Sequence, residues 1–284
     1  MPVAKPRPRP QARALAAGLR DARAEATLPM QWVADQLGWS QSTISRMEAG
    51  KRPVTPEEVA TLLATYRVTG EARDRLIAMT RDADRPSWLE SARSEGLPPQ
   101  AIMLAQYEAE ATRLVYFDLL VTGLLQTRAY TNAVMRAGVV APSDIEPRVN
   151  LRMQRQRILD GPNAPQLVSI LDEAALRRMM GGPRVMAEQL DHLVEMAGRP
   201  NVELRVIPFD HGGHAGATTS FGLLEFGAAN SLVHIENSGA SGFLDQPDHV
   251  QPFIEFYASM QAVALEPEAS VRFVADVVAE YRGR

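Results

Sequence analysis

The sequence predicts a multidomain protein in which an all-α domain of five helices is followed by a mixed α+β domain. The length of 284 residues suits about two domains. Residues 12–81 show only helical periodicity and helix caps, whereas helical and strand-like segments are mixed beyond residue 100. We therefore expect a disordered basic arm at 1–10, a helical domain at 11–83, a linker at 84–100 and an α+β domain at 101–284.

Composition excludes several classes of protein. Hydrophobic residues make up 45% and charged residues 23%, as in ordinary globular proteins. The absence of cysteine excludes disulfides, thiolate nucleophiles and cysteine-ligated metal sites. Neither a signal peptide nor an apolar run long enough to span a membrane is present, so we expect a cytoplasmic protein.

Charge is divided unevenly along the chain. Residues 1–83 hold 13 basic and 9 acidic side chains, whereas residues 84–284 hold 17 and 25. A basic N-terminal part on an acidic body suits a protein that presents one end to a polyanion.

Local signals define five helices in the first domain. Leu15 and Leu19 lie on one face of the first helix, and Gly38 and Gly50 end the second and third. Thr55 opens the fourth with a capping box. The predicted helices are 11–26, 29–37, 41–49, 56–66 and 71–83.

The second domain alternates between helical and strand patterns. Val202, Leu204 and Val206 alternate with polar residues, as in a half-buried strand. The predicted strands are 167–171, 202–207, 222–226 and 232–236. The predicted helices are 101–115, 123–137, 144–159, 173–180, 183–198, 247–264 and 267–282.

The segment from Trp32 to Gly50 carries the main functional signal. Ala34 is small enough for two helices to meet closely, and Gly38 permits a tight turn between them. With Ile44 and Met47 turned to the core, the outward face of helix 41–49 predicts base contacts in the DNA major groove by Gln41, Ser42, Ser45 and Arg46. Phosphate contacts are predicted for Arg20, Arg23, Ser40, Thr43, Lys51 and Arg52.

Residues 40–53, SQSTISRMEAGKRP, closely resemble the third helix and following loop of XRE-type regulators, which are relatives of the phage repressors. The resemblance implies a lambda-repressor-like helix-turn-helix domain. It also implies that Glu48 is structural and ties the third helix to its neighbours.

The second half resembles the large C-terminal domain, of poorly defined role, of actinobacterial XRE regulators. The similar segments are 120–130, 171–178, 182–183 and 221–226, within about residues 104–280. Thr122 departs from the pattern, which has proline there. Such regulators are often encoded beside a small partner protein, and some resemble antitoxins. The resemblance therefore implies a partner protein or a small-molecule ligand for this domain.

Other candidate sites carry weaker signals. His211 and His214, with Asp210, lie in a glycine-rich loop that lacks a fourth zinc ligand; a structural turn or part of a ligand pocket fits better. Asp172 and Glu173 suit a helix start. The arginines at 148, 152 and 155 share one helix face, which fits an acidic partner or, more simply, a solvated face.

No constellation of residues indicates catalysis, a cofactor or a metal. The expected function is that of a homodimeric, sequence-specific transcriptional regulator, a repressor or a dual-acting protein, that binds a pseudo-palindromic operator. The alternative is an antitoxin-like protein whose main role is to bind a small partner protein.

Overall fold

The computed structural model describes residues 10–52, 54–80, 97–227, 229–237 and 240–283. The chain divides into two compact units near residue 86. The predicted basic arm, except for its last residue, and most of the predicted linker lie outside the described residues. Residues 99 and 100, which we assigned to the linker, already belong to a helix.

The N-terminal unit is all-α, as predicted. Within its described residues the five helices are α1 (Pro10–Glu25), α2 (Met30–Leu37), α3 (Gln41–Glu48), α4 (Pro56–Thr65) and α5 (Gly70–Ala78).

A single hydrophobic core holds these five helices together. Leu19, Val33, Ile44, Leu62 and Leu63 are fully buried, so α1 to α4 all contribute to the centre of the domain. Such large aliphatic side chains contribute about 1.5–3 kcal/mol each when they are buried.

The predicted capping box at the start of α4 is confirmed. The Thr55 side chain accepts a hydrogen bond from the Glu58 amide at 3.2 Å, and the Glu58 carboxylate accepts one from the Thr55 amide at 3.0 Å. Two amides that the helix itself leaves without partners are thereby satisfied.

The C-terminal unit combines strands and helices, as predicted. The strands are β1 (Arg113–Asp118), β2 (Gln166–Asp172), β3 (Val202–Ile207), β4 (Phe221–Phe226), β5 (Ala229–Asn237) and β6 (Ala240–Leu244). The helices are α6 (Pro99–Glu110), α7 (Arg128–Ala137), α8 (Pro142–Arg155), α9 (Glu173–Arg177), α10 (Pro183–Ala197), α11 (Pro247–Val263) and α12 (Pro267–Arg282).

The six strands form one mixed sheet in the order β3-β2-β1-β4-β5-β6. Strands β1, β2 and β3 are parallel, whereas β4 runs antiparallel to β1. One sheet face presents Val115, Phe117 and Ile170 to a core completed by Met260 of α11. On the opposite face of β1, Tyr116 and Asp118 point away from that core.

The sequence analysis did not predict strands β1 and β6. The helix predicted at 101–115 ends at Glu110, and the chain then enters β1. Four consecutive buried residues, Leu114 to Phe117, give β1 no alternation, because both sheet faces are covered. Strand β6 contains Ala240, Ser241 and Gly242, residue types with a weak preference for strands. It forms a strand because it pairs with β5, and that pairing is not visible in the local sequence.

Candidate nucleic-acid interface

The turn between α2 and α3 depends on a left-handed residue. Gly38 has φ 65° and ψ 24°, a conformation that costs other residues about 1–2 kcal/mol. Nothing lies within 4 Å of the position that a Cβ atom would take there, so backbone conformation rather than space requires glycine. The Trp39 amide then donates to the Ala34 carbonyl at 3.0 Å and closes the end of α2.

Helix α3 separates its side chains into an inner and an outer face. Ile44 and Met47 are 0% and 1% exposed and belong to the domain core. The four predicted base-contact residues are all exposed to solvent: Gln41, Ser42, Ser45 and Arg46. In the described structure this outer face is polar, with one cationic side chain that carries five donors.

Ser40 fixes where α3 begins. Its hydroxyl accepts a hydrogen bond from the Thr43 amide at 3.1 Å and lies 2.8 Å from the Thr43 hydroxyl. An N-cap serine stabilises a helix by about 1 kcal/mol. Along the same face the Arg46 Nε donates to the Ser42 carbonyl at 3.2 Å, which holds the arginine stem along the helix.

The structure gives Arg23 a different role from the predicted phosphate contact. Its Nε and Nη2 donate to the two Glu48 carboxylate oxygens at 2.7 and 2.9 Å, and its Nη1 donates to the Leu28 carbonyl at 3.0 Å. All three guanidinium nitrogens are therefore engaged inside the domain. The Tyr66 hydroxyl also donates to Glu48, at 3.1 Å.

Glu48 is thus a structural residue, as the resemblance implied. Its side chain is 3% exposed and joins α3 to α1 through Arg23 and to the end of α4 through Tyr66. The carboxylate in turn raises the pKa of Arg23, while burial, more than Glu48, raises the pKa of Tyr66. This cluster sets the position of α3 on the domain.

The other cationic side chains predicted to contact phosphates differ in their exposure to solvent and in whether they already form an ion pair. Arg20 and Lys51 are exposed. Arg52 is half-buried and its Nη2 donates to Glu58 at 2.6 Å, so a phosphate would compete with an existing ion pair. Arg20 and Lys51 are the stronger candidates.

In the C-terminal unit, Asp172 and Glu173 do begin a helix. Asp172 accepts a hydrogen bond from the Ala174 amide at 2.6 Å, and its other carboxylate oxygen lies 2.8 Å from Nε2 of His214. Glu173 accepts from the Phe209 amide at 2.6 Å. These contacts fasten the loop before β4 to the end of β2. Among the described residues no group of three or more possible ligands could hold a metal ion.

The sequence analysis predicted that the arginines of α8 lie on a solvated face, and this prediction is wrong for Arg155, which is buried. Arg155 is buried and donates to both Glu108 oxygens of α6 at 2.7 Å. Arg152 donates to Gln126 at 2.8 Å. Thr122, which replaces the expected proline, lies 2.7 Å from the Ser169 hydroxyl, so its side chain forms a buried polar contact that proline cannot form.

Comparison with known protein families agrees with the division seen in the structure. A helix-turn-helix domain matches residues 14–76, which cover most of α1, all of α2 to α4 and most of α5. This match defines the N-terminal unit as that of a DNA-binding regulator.

A second family, described as a domain of unknown function (DUF5753), matches residues 102–276. That match spans more than half of the chain, so the protein belongs to this family. No curated protein and no solved structure matches the sequence. Across the described ranges, every helix is too short or too polar to cross a membrane.

Proposed function

We propose that the protein is a sequence-specific transcriptional regulator of the XRE type that inserts α3 into the DNA major groove. The observation that supports this most directly is the outer face of α3, where Gln41, Ser42, Ser45 and Arg46 are exposed while Ile44 and Met47 anchor the helix. Glutamine and arginine recognise adenine and guanine through paired hydrogen bonds.

We propose that the protein acts as a homodimer and is either a repressor or a dual-acting regulator. Two copies of α3, placed about 34 Å apart, would read the half-sites of a pseudo-palindrome. Arg20 and Lys51 would position the domain through phosphates, which adds affinity but no sequence information. Dimerisation is assigned to the C-terminal unit because the helical unit is small.

The C-terminal unit is proposed to sense a small molecule or a small partner protein and to have no catalytic role. Support comes from the resemblance to the C-terminal domain of actinobacterial regulators, which implies a partner protein or a small-molecule ligand for this unit. An antitoxin-like role, in which a partner protein is the main target, is the second candidate and follows only from the family resemblance.

Selection of bound duplexes from a random pool tests the main proposal. The expected product is a palindromic site bound far more tightly than a scrambled duplex, with affinity that falls steeply as salt increases. Absence of enrichment, together with a small protein that co-purifies from the native host, would favour the antitoxin-like role.

The recognition face is tested with Arg46→Ala on the selected site. We expect a loss of about tenfold in specific affinity, because one paired contact to a base contributes about 1–3 kcal/mol. Arg75→Ala, at an exposed arginine of α5, is the matched control and should bind like the wild type. Wild-type affinity of a folded Arg46→Ala variant would refute the assigned face.

A further inference from the structure

The mixed sheet of the C-terminal unit ends at β3 on one side and at β6 on the other. A strand at the edge of a sheet carries backbone N–H and C=O groups that its single neighbour cannot satisfy. Folded proteins cover such an edge, or place charged residues and proline on it, because an open edge pairs with other chains. The two edges of this sheet differ in that respect.

The β3 edge is covered from within the chain. The Val206 carbonyl accepts a hydrogen bond from the Leu265 amide at 2.8 Å, and the Val206 amide donates to the Ser270 hydroxyl at 3.0 Å. Leu265 lies just before α12 and Ser270 lies in its first turn. The start of α12 therefore occupies this edge and leaves no room for another strand at Val206.

The β6 edge is open. Asn237 pairs with Ala240, and only two residues lie between them, so β5 and β6 form a tight hairpin. The pair that flanks such a turn is hydrogen-bonded, and hydrogen-bonded and non-hydrogen-bonded pairs then alternate along the strands. Gly242 therefore turns its backbone groups toward β5, whereas Ser241 and Phe243 turn theirs outward. Within the described part of the chain, no group forms a hydrogen bond with these outward N–H and C=O groups.

The sequence of β6 does not protect this edge. Residues 240–244, ASGFL, include neither a charged residue nor a proline. Gly242 is exposed, and Phe243 and Leu244 are only half-buried. Because the strand carries no charge, a second copy of the same strand meets no like-charge repulsion when it approaches.

The outward groups of β6 are complementary to themselves. If two copies of β6 run antiparallel about a two-fold axis at Gly242, Ser241 of each copy lies opposite the partner's Phe243. Both residues point their backbone groups at each other, so each pair exchanges its N–H···O=C hydrogen bonds. Every outward group of Ser241 and Phe243 in both copies is then satisfied.

Glycine suits the position on this axis. The two Gly242 residues would form a non-hydrogen-bonded pair, in which Cα atoms lie about 4.5 Å apart and facing side chains are closest. Nothing in the chain lies within 4 Å of the Cβ position of Gly242, so neither backbone is shielded from the other. A residue with a side chain would meet its own copy at this closest approach, which favours a second copy of the chain over an unrelated strand as the occupant.

We propose that two copies of the chain dimerise by antiparallel pairing of their β6 edges, which joins their sheets into one. This inference rests on the proposed function, which needs a dimer and assigns it to the C-terminal unit; it names the surface that forms it. The paired segment is short, so we expect a dimer that dissociates on dilution.

Sedimentation velocity of the full chain without DNA, over a series of dilutions, tests the proposal. The wild type should be a dimer at the higher concentrations. Gly242→Glu should raise the dissociation constant by about tenfold or more, because two carboxylates then face each other across the axis. Gly213→Glu is the matched control, because Gly213 is also exposed, with open space at its Cβ position and no positive φ, and it should leave the dissociation constant unchanged.

Mixing two variants separates a lost interface from a damaged fold. Gly242→Lys alone should also be monomeric, because two ammonium groups then meet at the axis. An equimolar mixture of Gly242→Glu and Gly242→Lys should recover the dimer, since opposite charges directly across a strand pair attract.

A covalent cross-link tests the same geometry without weakening the interface. The chain contains no cysteine, so Gly242→Cys introduces a single thiol. A disulfide requires Cα atoms about 4.4–6.8 Å apart, and the proposed pair meets that requirement. Mild oxidation should therefore link Gly242→Cys into a dimer that survives denaturing electrophoresis, whereas Gly213→Cys should stay unlinked.

Four results would overturn the proposal. They are a wild type that is monomeric at every concentration, undiminished dimers of Gly242→Glu and Gly242→Lys, no cross-link through Gly242→Cys, or a monomer whose β6 edge pairs with an unrelated peptide. Undiminished dimers of the variants would place the interface elsewhere and leave the proposed dimeric regulator standing. Failure of duplex selection would instead contradict the regulator and leave the pairing of β6 untouched.

Discussion

Removal of the Glu48 side chain is expected to destabilise the helical unit more than any surface substitution. In the wild type the carboxylate accepts three hydrogen bonds, two from Arg23 and one from Tyr66. Glu48→Ala leaves a guanidinium that is 18% exposed and a buried phenol without their acceptor.

The magnitude follows from the burial of this cluster. Breaking a buried ion pair by removing one partner costs about 3–5 kcal/mol. Because Arg23 keeps some access to water and its bond to the Leu28 carbonyl, we expect the lower end, about 3 kcal/mol. Glu48→Gln keeps the shape but loses the charge, and should cost about 1.5 kcal/mol, at the lower limit for a hydrogen bond to a charged group.

Hydrogen exchange followed by mass spectrometry suits this test, because a chain with two units has no single free energy of unfolding. A loss of about 3 kcal/mol corresponds to exchange about 150-fold faster at the core amides of α1, α3 and α4. Glu25→Ala, at the exposed last residue of α1, is the control and should change little. Wild-type protection in Glu48→Ala would refute the assigned role of the cluster.

Two further predictions concern a backbone position and a titrating group. Gly38→Ala should destabilise the α2–α3 turn by about 1–2 kcal/mol, because alanine is strained at the positive φ of this position. Gly38→Asn should cost less, since asparagine adopts the left-handed conformation more readily. Hydrogen exchange of α2 and α3 measures both losses, and equal losses would contradict a conformational cause. The folded Asp118 carboxyl keeps its proton to about pH 7, whereas the unfolded one loses it near 3.8. Asp118→Asn removes this titration, so the thermal stability of the C-terminal unit should fall less between about pH 4 and pH 7 in the variant than in the wild type. Stability of the wild type therefore decreases as pH rises through this window, and a variant with an unchanged pH profile would contradict the assigned pKa.

The helical unit was predictable because its signals are local. Gly38, Ser40 and the capping box at Thr55 each act within four residues along the chain, so the sequence alone indicates where α2 ends and where α3 and α4 begin. The exposed face of α3 follows from the positions of Ile44 and Met47, since helical periodicity then places the intervening residues.

Contacts between residues that are far apart along the chain could not be predicted from local signals. Arg23 lies 25 residues from Glu48, and Arg155 lies 47 residues from Glu108. Spacing along a helix shows which arginines share a face, but not whether that face meets solvent or a buried carboxylate. A buried glutamate within the apolar pattern of α6 was the one signal that an internal cationic partner was required.

The two faces of α3 make loss of folding and loss of recognition separable. Met47 and Glu48 hold the helix on the domain, whereas the one hydrogen bond that Arg46 makes to the described residues runs along its own helix to the Ser42 carbonyl. Weaker DNA binding by Glu48→Ala should therefore be accompanied by faster exchange at core amides, and weaker binding by Arg46→Ala should not. If both variants lost protection together, the outer face of α3 would also be supporting the fold, and its assignment to base contacts would need a variant that preserves the domain.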